Sequence, residues 1–216
     1  MVVRMADPDS ETSSLIDRAR AGDSAAWGVL MERHRDRLRR MVALRLDRRL
    51  QGRIDASDII QEAFTDAVGR LEEYSRDPSM PFFLWLRFLV GQRLADQHRH
   101  HLGIKARDAG REISLYRRAM PETTTAALAA QLLGKETSPS QAAIRAERKV
   151  RLQEALNSLD PIDREILALR HYEQLSNGET ATVLGLDKSA ASKRYARALV
   201  RLKDILAALP GGLEGT

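Results

Sequence analysis

Cysteine is absent from all 216 residues. That removes a disulfide framework, a thiolate zinc site and a thiol redox switch from consideration. Long hydrophobic runs are missing too. The longest apolar cluster, residues 82–90, is interrupted by Arg87 and falls well short of the roughly 20 residues a membrane-spanning helix needs. The first 14 residues are polar and acidic with no apolar centre, which is not the pattern of a secretory signal. No GxSxG, HExxH, P-loop or dinucleotide fingerprint occurs, and no arrangement of Ser and His suggests a catalytic triad. His98 and His101 share a helix face, but no third ligand stands at a metal-binding spacing. The chain is therefore expected to be a soluble cytoplasmic protein without catalytic residues, metal or cofactor.

What is present is positive charge and helical period. Charged residues make up 30% of the chain and the formal net charge is +5, a balance that favours a polyanionic partner. A hydrophobic fraction of 43% over this length can fill one or two cores. Apolar residues recur at spacings of three and four nearly throughout, with no convincing strand alternation, so the fold class is all-α. The first helix is expected over 14–21, with Gly22, Asp23 and Ser24 breaking the chain and capping a second, arginine-rich helix from Ala25. A third begins near Ser57, with Ile60, Ala63, Phe64, Ala67, Val68 and Leu71 on its apolar side. A fourth runs from about Phe82 to His101, with Pro81 placed for its first position. Residues 103–137 shift to Gly, Ala, Thr and mixed charge and read as an interdomain linker, weakly helical at 126–133. Ser138, Pro139 and Gln141 form a helix start. Another helix is expected over 162–172, and Pro210 with two glycines ends the domain. The division is a tail over 1–13, a helical domain over 14–102, a linker over 103–137, a second helical domain over 138–209 and a tail over 210–216.

Three segments carry candidate function. The stretch from Leu175 to Arg197 reads as a helix-turn-helix: a short helix closes at Gly185 and a second follows. Lys188, Ser189, Ser192, Lys193 and Arg197 lie away from its apolar positions Ala191, Tyr195, Leu199 and Leu202, and Lys193, Arg194 and Arg197 are candidates for phosphate or base-edge contacts. Donors near the start of an anchored helix are what reading a DNA major groove requires, although an ordinary helical hairpin with a solvated basic side has the same pattern. In the third helix Asp58, Glu62 and Asp66 share one face beside Gln61. That face is either solvated and paired with nearby arginines or a dock for a basic protein, since it would repel nucleic acid. In the fourth helix Phe82, Phe83, Trp85 and Phe88 mix with Arg87, Gln92, Arg93 and Arg99. Such residues can fill a core, or stack and neutralise single-stranded DNA.

Taken together these motifs resemble a bacterial sigma factor of the extracytoplasmic-function (ECF) branch of the sigma-seventy-type family. The run from Asp55 to Phe64, with Asp58, Gln61, Glu62, Ala63 and Phe64 in order, is similar to the region-2 motif that grips the polymerase. The stretch from Phe82 through Trp85 and Gln92 to Asp96 is similar to the part that melts and reads the minus-ten element. Residues 159–202 resemble region 4, which reads the minus-thirty-five element. The linker and the run from Ser189 to Tyr195 look like planctomycete-type members. Gln92 departs from the Asn frequent there, and Gly178 stands inside a helix at a cost of about 1 kcal/mol relative to Ala.

The resemblance implies binding to core RNA polymerase, at the β′ clamp and the β flap, and to double- and single-stranded promoter DNA. It implies Asp55, Asp58, Gln61 and Glu62 as polymerase contacts. Asp77, Ser79, Met80, Phe82, Trp85, Arg87, Gln92, Arg93 and Arg99 would meet the minus-ten element. Lys188, Ser189, Ser192, Lys193, Arg194 and Arg197 would meet the minus-thirty-five element. A separate anti-sigma regulator is a partner the resemblance allows; a kinase or synthesis alone are the alternatives, and the target promoters stay open.

Overall fold

Glycines and aspartates set where the helices stop and start. The computed structural model describes residues 8–47, 49–102, 124–133 and 142–208. Within them the chain is helical, with no strand. The helices are α1 (Pro8–Arg20), α2 (Ser24–Arg45), α3 (Ala56–Arg76), α4 (Phe82–Leu102), α5 (Thr124–Leu132), α6 (Ala142–Ser158), α7 (Pro161–Leu167), α8 (Asn177–Leu184) and α9 (Lys188–Ala208). None of these is long and apolar enough to cross a membrane. Helix α1 begins at Pro8 rather than Ser14, so part of the expected tail is helical. The chain reverses at Gly22, whose φ of 91° suits glycine alone. Asp23 then caps α2, accepting from the Ala25 and Ala26 backbone N–H groups at 3.0 Å each. The Ala26 bond and a hydrogen bond from Arg18 hold its carboxyl below the usual range.

The chain divides into two compact units, one of residues 1–42 and 52–104, the other of 43–51 and 105–216. In the first, α3 packs on α4, burying Ile59, Ile60, Ala63, Phe64, Ala67 and Leu71. Val68, expected among them, is 57% exposed. It stands at the rim of the stripe, where one step round the helix turns a side chain by about 100°. The first half of α4 is apolar nearly all round and is buried accordingly, from Phe82 to Val90 with only Trp85 and Phe88 partly open.

In the second unit α5 lies inside the segment read as a linker, yet Leu128 and Ala129 are wholly buried and the helix packs on α6. Its apolar Ala and Leu residues, unremarkable in sequence, have a partner surface there. The helix start expected at Ser138 lies outside the described residues. Pro161 opens α7 with Asp160 as its cap. The helix expected over 162–172 keeps α geometry only to Leu167; Ala168–Tyr172 widens into a π-turn. Beyond it Glu173 is wholly buried beside Arg45, also of this unit, whose Nε donates to Glu173 Oε1 at 3.1 Å. Arg45 Nη2 donates to the same oxygen and to Glu165 Oε1, the latter at 2.8 Å. A carboxylate and a guanidinium can be held in such an interior only while each neutralises the other.

Candidate nucleic-acid and partner interfaces

Helix α3 offers its acidic side outward, but not all of it. Asp58, Gln61 and Glu62 are exposed, on the side away from the buried stripe. Asp66, in the same row, is drawn to α4 instead: its two carboxylate oxygens accept from Arg93 Nε and Nη2 at 2.6 Å each. Asp55 is the N-cap of the helix and accepts from the Ser57 backbone N–H at 2.7 Å. That bond is the main reason its carboxyl sits below the usual range. The outward acid and amide group therefore contracts to Asp58, Gln61 and Glu62, with Asp55 occupied as a cap and Asp66 as a clamp.

The Asp66–Arg93 pair has a pH signature. Hydrogen bonds from Arg93 hold the Asp66 carboxyl below its ordinary value. A depressed carboxyl stabilises the fold above the unfolded-state value and loses that contribution as the pH falls through the lower folded value. We expect Asp66→Asn to lower the unfolding midpoint by about 2–4 °C near neutral pH. Circular dichroism melts should find the gap between parent and variant shrinking as the pH drops below the carboxylate range; a constant gap would refute the clamp.

Between α3 and α4 the loop 77–81 presents Asp77, Pro78 and Ser79 to solvent, with Met80 half-buried. The Ser79 N–H donates to the Asp77 carbonyl at 2.8 Å. Behind the loop stands a ring cluster. Tyr74 stacks on Trp85 with centroids 4.7 Å apart and meets Phe82 edge-on at 5.5 Å. Phe83 lies under the Arg37 guanidinium at 3.6 Å. Tyr74 also donates its hydroxyl proton to the Met80 carbonyl at 3.0 Å. Sequence reasoning missed Tyr74, for a lone tyrosine among charged residues near a helix end carries no periodic signal.

Several expected DNA contacts are used otherwise. Phe82 is buried, and Arg87 is 1% exposed, so neither offers itself to a nucleic acid as expected. Arg87 follows the apolar run into the core. Arg93 is held by Asp66, and Arg99, though exposed, is paired with Asp96 one turn back. Gln92 is exposed and Trp85 half-buried.

The helix-turn-helix is assembled as its spacing implied. Ser176 and Glu179 form a reciprocal capping box at the start of α8, and Gly185 closes it in the left-handed region at φ 63°. Asp187 caps α9, accepting from the Ala190 N–H at 2.8 Å. The Asn177 side-chain amide donates to the Lys188 carbonyl at 2.8 Å, tying the two helices together at their starts. A Cβ at Gly178 would meet Lys188 Cε at 3.3 Å, a contact that the exposed, flexible lysine relieves by a small shift.

Along α9, Lys188, Ser189, Ser192, Lys193 and Arg197 are all exposed. Arg194 departs from this set. It is half-buried, with its Nε donating to the buried Asp163 at 2.8 Å and its Nη2 to Asp160 at 3.1 Å. Arg201 reaches the same Asp163. Arg194 thus anchors α9 to α7 rather than adding to the outward row. The buried side of α9 is Ala191, Ala198, Leu202 and Leu206, while Leu199, expected there, is 37% exposed. Burial also lowers the His171 pKa, and that imidazole's Nε2 shares a 2.9 Å hydrogen bond with the Tyr195 hydroxyl.

Residues 149–202 match the family described as Sigma-70, region 4. Over 195 residues, 90% of this chain and 84% of its relative, the sequence is 31% identical to "ECF RNA polymerase sigma factor SigD" of Mycobacterium tuberculosis. It is 28% identical over 203 residues to "RNA polymerase sigma factor CnrH" of Cupriavidus metallidurans, covering 93% and 96% of the two chains. A solved structure of CnrH in complex with the cytosolic domain of CnrY superposes with a TM-score of 0.53 at 24% identity, over 92% of this chain and 98% of that one. That likeness establishes a shared fold.

Proposed function

Since this chain belongs to the ECF RNA polymerase sigma factors, which bind core RNA polymerase, recognise promoter DNA and promote strand opening, we propose the following assignment of its surfaces. The outward group Asp58, Gln61 and Glu62 on α3 is the dock for the β′ clamp. The loop 77–81, with Trp85 and Gln92, meets the displaced minus-ten strand. The basic row Lys188, Ser189, Ser192, Lys193 and Arg197 reads the minus-thirty-five element, while the second unit engages the β flap. Residues 14–102 and 138–209 act as the two readers. Polymerase fixes their spacing, so promoter choice depends on engaging both at once.

The observation that carries this assignment is the opposition of charge on the exposed rows. Two carboxylates and an amide stand outward on α3, whereas α9 presents Lys188, Lys193 and Arg197 in the same exposed state. A surface of the first kind suits a basic protein and one of the second suits DNA. The polymerase supplies all chemistry, and the chain acts as a transcription factor in the cytoplasm. The relative CnrH is held by a cytosolic domain of CnrY, and control of this chain by an anti-sigma protein is part of the proposal. The planctomycete-type affinity rests only on the linker composition and on residues 189–195.

The test is selection from a randomised promoter library by this chain with bacterial core polymerase. Two conserved blocks at one fixed spacing are the expected result. Enrichment of a single palindromic site, equally strong without polymerase, would overturn the assignment in favour of an autonomous DNA-binding regulator.

A further inference from the structure

The loop 77–81 is anchored more firmly than its exposed residues suggest. Prolines at 78 and 81 restrict its backbone, and the Asp77 carbonyl is taken by the Ser79 N–H. The last carbonyl before Pro81 is that of Met80, and that is where the Tyr74 hydroxyl donates. The same tyrosine stacks on Trp85 and touches Phe82, whose own rings are 5.6 Å apart. One side chain near the end of α3 thus holds both the exit of the loop and the aromatic at the start of α4. Burial pushes the phenol pKa up, so the hydroxyl stays protonated and remains a donor.

We infer that Tyr74 is a positioning residue for minus-ten recognition: it holds the loop 77–81 and Trp85 in one arrangement before the displaced base arrives. The inference rests on the assignment of that loop as the minus-ten reader. A pre-formed pocket does not have to order its loop when the base enters, so the unstacked strand is captured at lower cost. The ring and the hydroxyl do different work. The ring packs against Trp85 and Phe82, whereas the hydroxyl acts only on the loop carbonyl. Tyr74→Phe therefore separates loop positioning from packing. A net hydrogen bond of this kind corresponds to roughly a three- to ten-fold effect.

The experiment uses the full chain with core polymerase on a promoter taken from the library selection. Strand opening is followed by fluorescence of 2-aminopurine in the minus-ten region. Each template is compared with one substituted at the minus-ten base most strongly selected. For Tyr74→Phe, polymerase affinity is expected to match the parent and the unfolding midpoint to fall by no more than a few degrees. Opening on the selected promoter should slow roughly three- to ten-fold, and discrimination against the substituted template should narrow. Tyr74→Leu, which also removes the stack on Trp85, should be worse in both. Unchanged opening and discrimination in Tyr74→Phe would overturn the inference, as would equal slowing on both templates, the mark of general support. A double variant, Asp77→Ala with Ser79→Ala, tells the two levels apart. If it loses discrimination while Tyr74→Phe does not, only the role of Tyr74 falls; if it too keeps full discrimination, the loop assignment falls with it.

Discussion

Changing Asp58, Gln61 and Glu62 together to alanine is expected to abolish capture of core RNA polymerase while leaving the chain folded. The three side chains point to solvent, on the side of α3 opposite the residues that pack on α4. Their loss opens no cavity, and alanine is the strongest helix former. The small penalty comes from Asp58, whose charge lies in the first turn and favours the positive helix end by about 0.3–1 kcal/mol. The effect on binding is of another order. If each side chain at the centre of a charged interface contributes about 1–2 kcal/mol, three of them amount to roughly a hundred-fold or more in affinity. Titration of polymerase with fluorescently labelled chain measures this, with circular dichroism to verify the fold. Binding by the parent should also weaken with salt, because exposed charges are screened over about 10 Å at 0.1 M. Retained affinity in a folded triple variant would place the dock elsewhere. Asp66 does not belong to the dock, since its bidentate bond to Arg93 makes its removal a test of the fold.

The second large effect is expected from Glu173→Ala, which leaves Arg45 buried without its main counter-charge. Glu173 is fully buried and Arg45 is 1% exposed. Breaking such a pair from one side costs about 3–5 kcal/mol, because the stranded charge cannot reach water. Domains of this size have total stabilities of about 5–15 kcal/mol, so the second unit should be largely or partly unfolded at 37 °C. Glu165, which also accepts from Arg45 at 2.8 Å, limits the damage without replacing the lost partner. Limited proteolysis is the direct measurement: cleavage should concentrate within 43–51 and 142–208, while 52–102 stays protected. Replacing both partners, as Arg45→Met with Glu173→Leu, should recover much of the stability, since a buried pair is often no better than an apolar one of similar volume. A single variant as protease-resistant as the parent would mean that the pair contributes nothing to the second unit.

The two predictions differ in how visible their residues were beforehand. Asp58, Gln61 and Glu62 can be found by counting round a helix, since the apolar residues at 60, 63, 64, 67 and 71 settle which side is core and leave the acids outside. Glu173 cannot. It lies in an ordinary run of helix and turn, and its burial depends on a π-turn after Leu167 and on an arginine 128 positions away.

The same line divides the rest of the molecule. The sequence by itself determined the all-α class, the cap around Asp23, the turn at Gly185 and the exposed row Lys188, Ser189, Ser192, Lys193 and Arg197. All of these follow from helical period and from hydrogen bonds a few residues long. Tertiary structure alone decided which charged residues on those faces were free to act. Asp66 went to Arg93, Arg194 to Asp163, Arg87 to the core, and Tyr74 to the loop carbonyl that it holds. It also gave α5 a packing partner inside a stretch that reads as a linker. The reason is physical. Periodicity fixes which side chains share a face of one helix, but an ion pair or a buried ring is fixed by what the neighbouring helix brings opposite, and that neighbour is set by the fold.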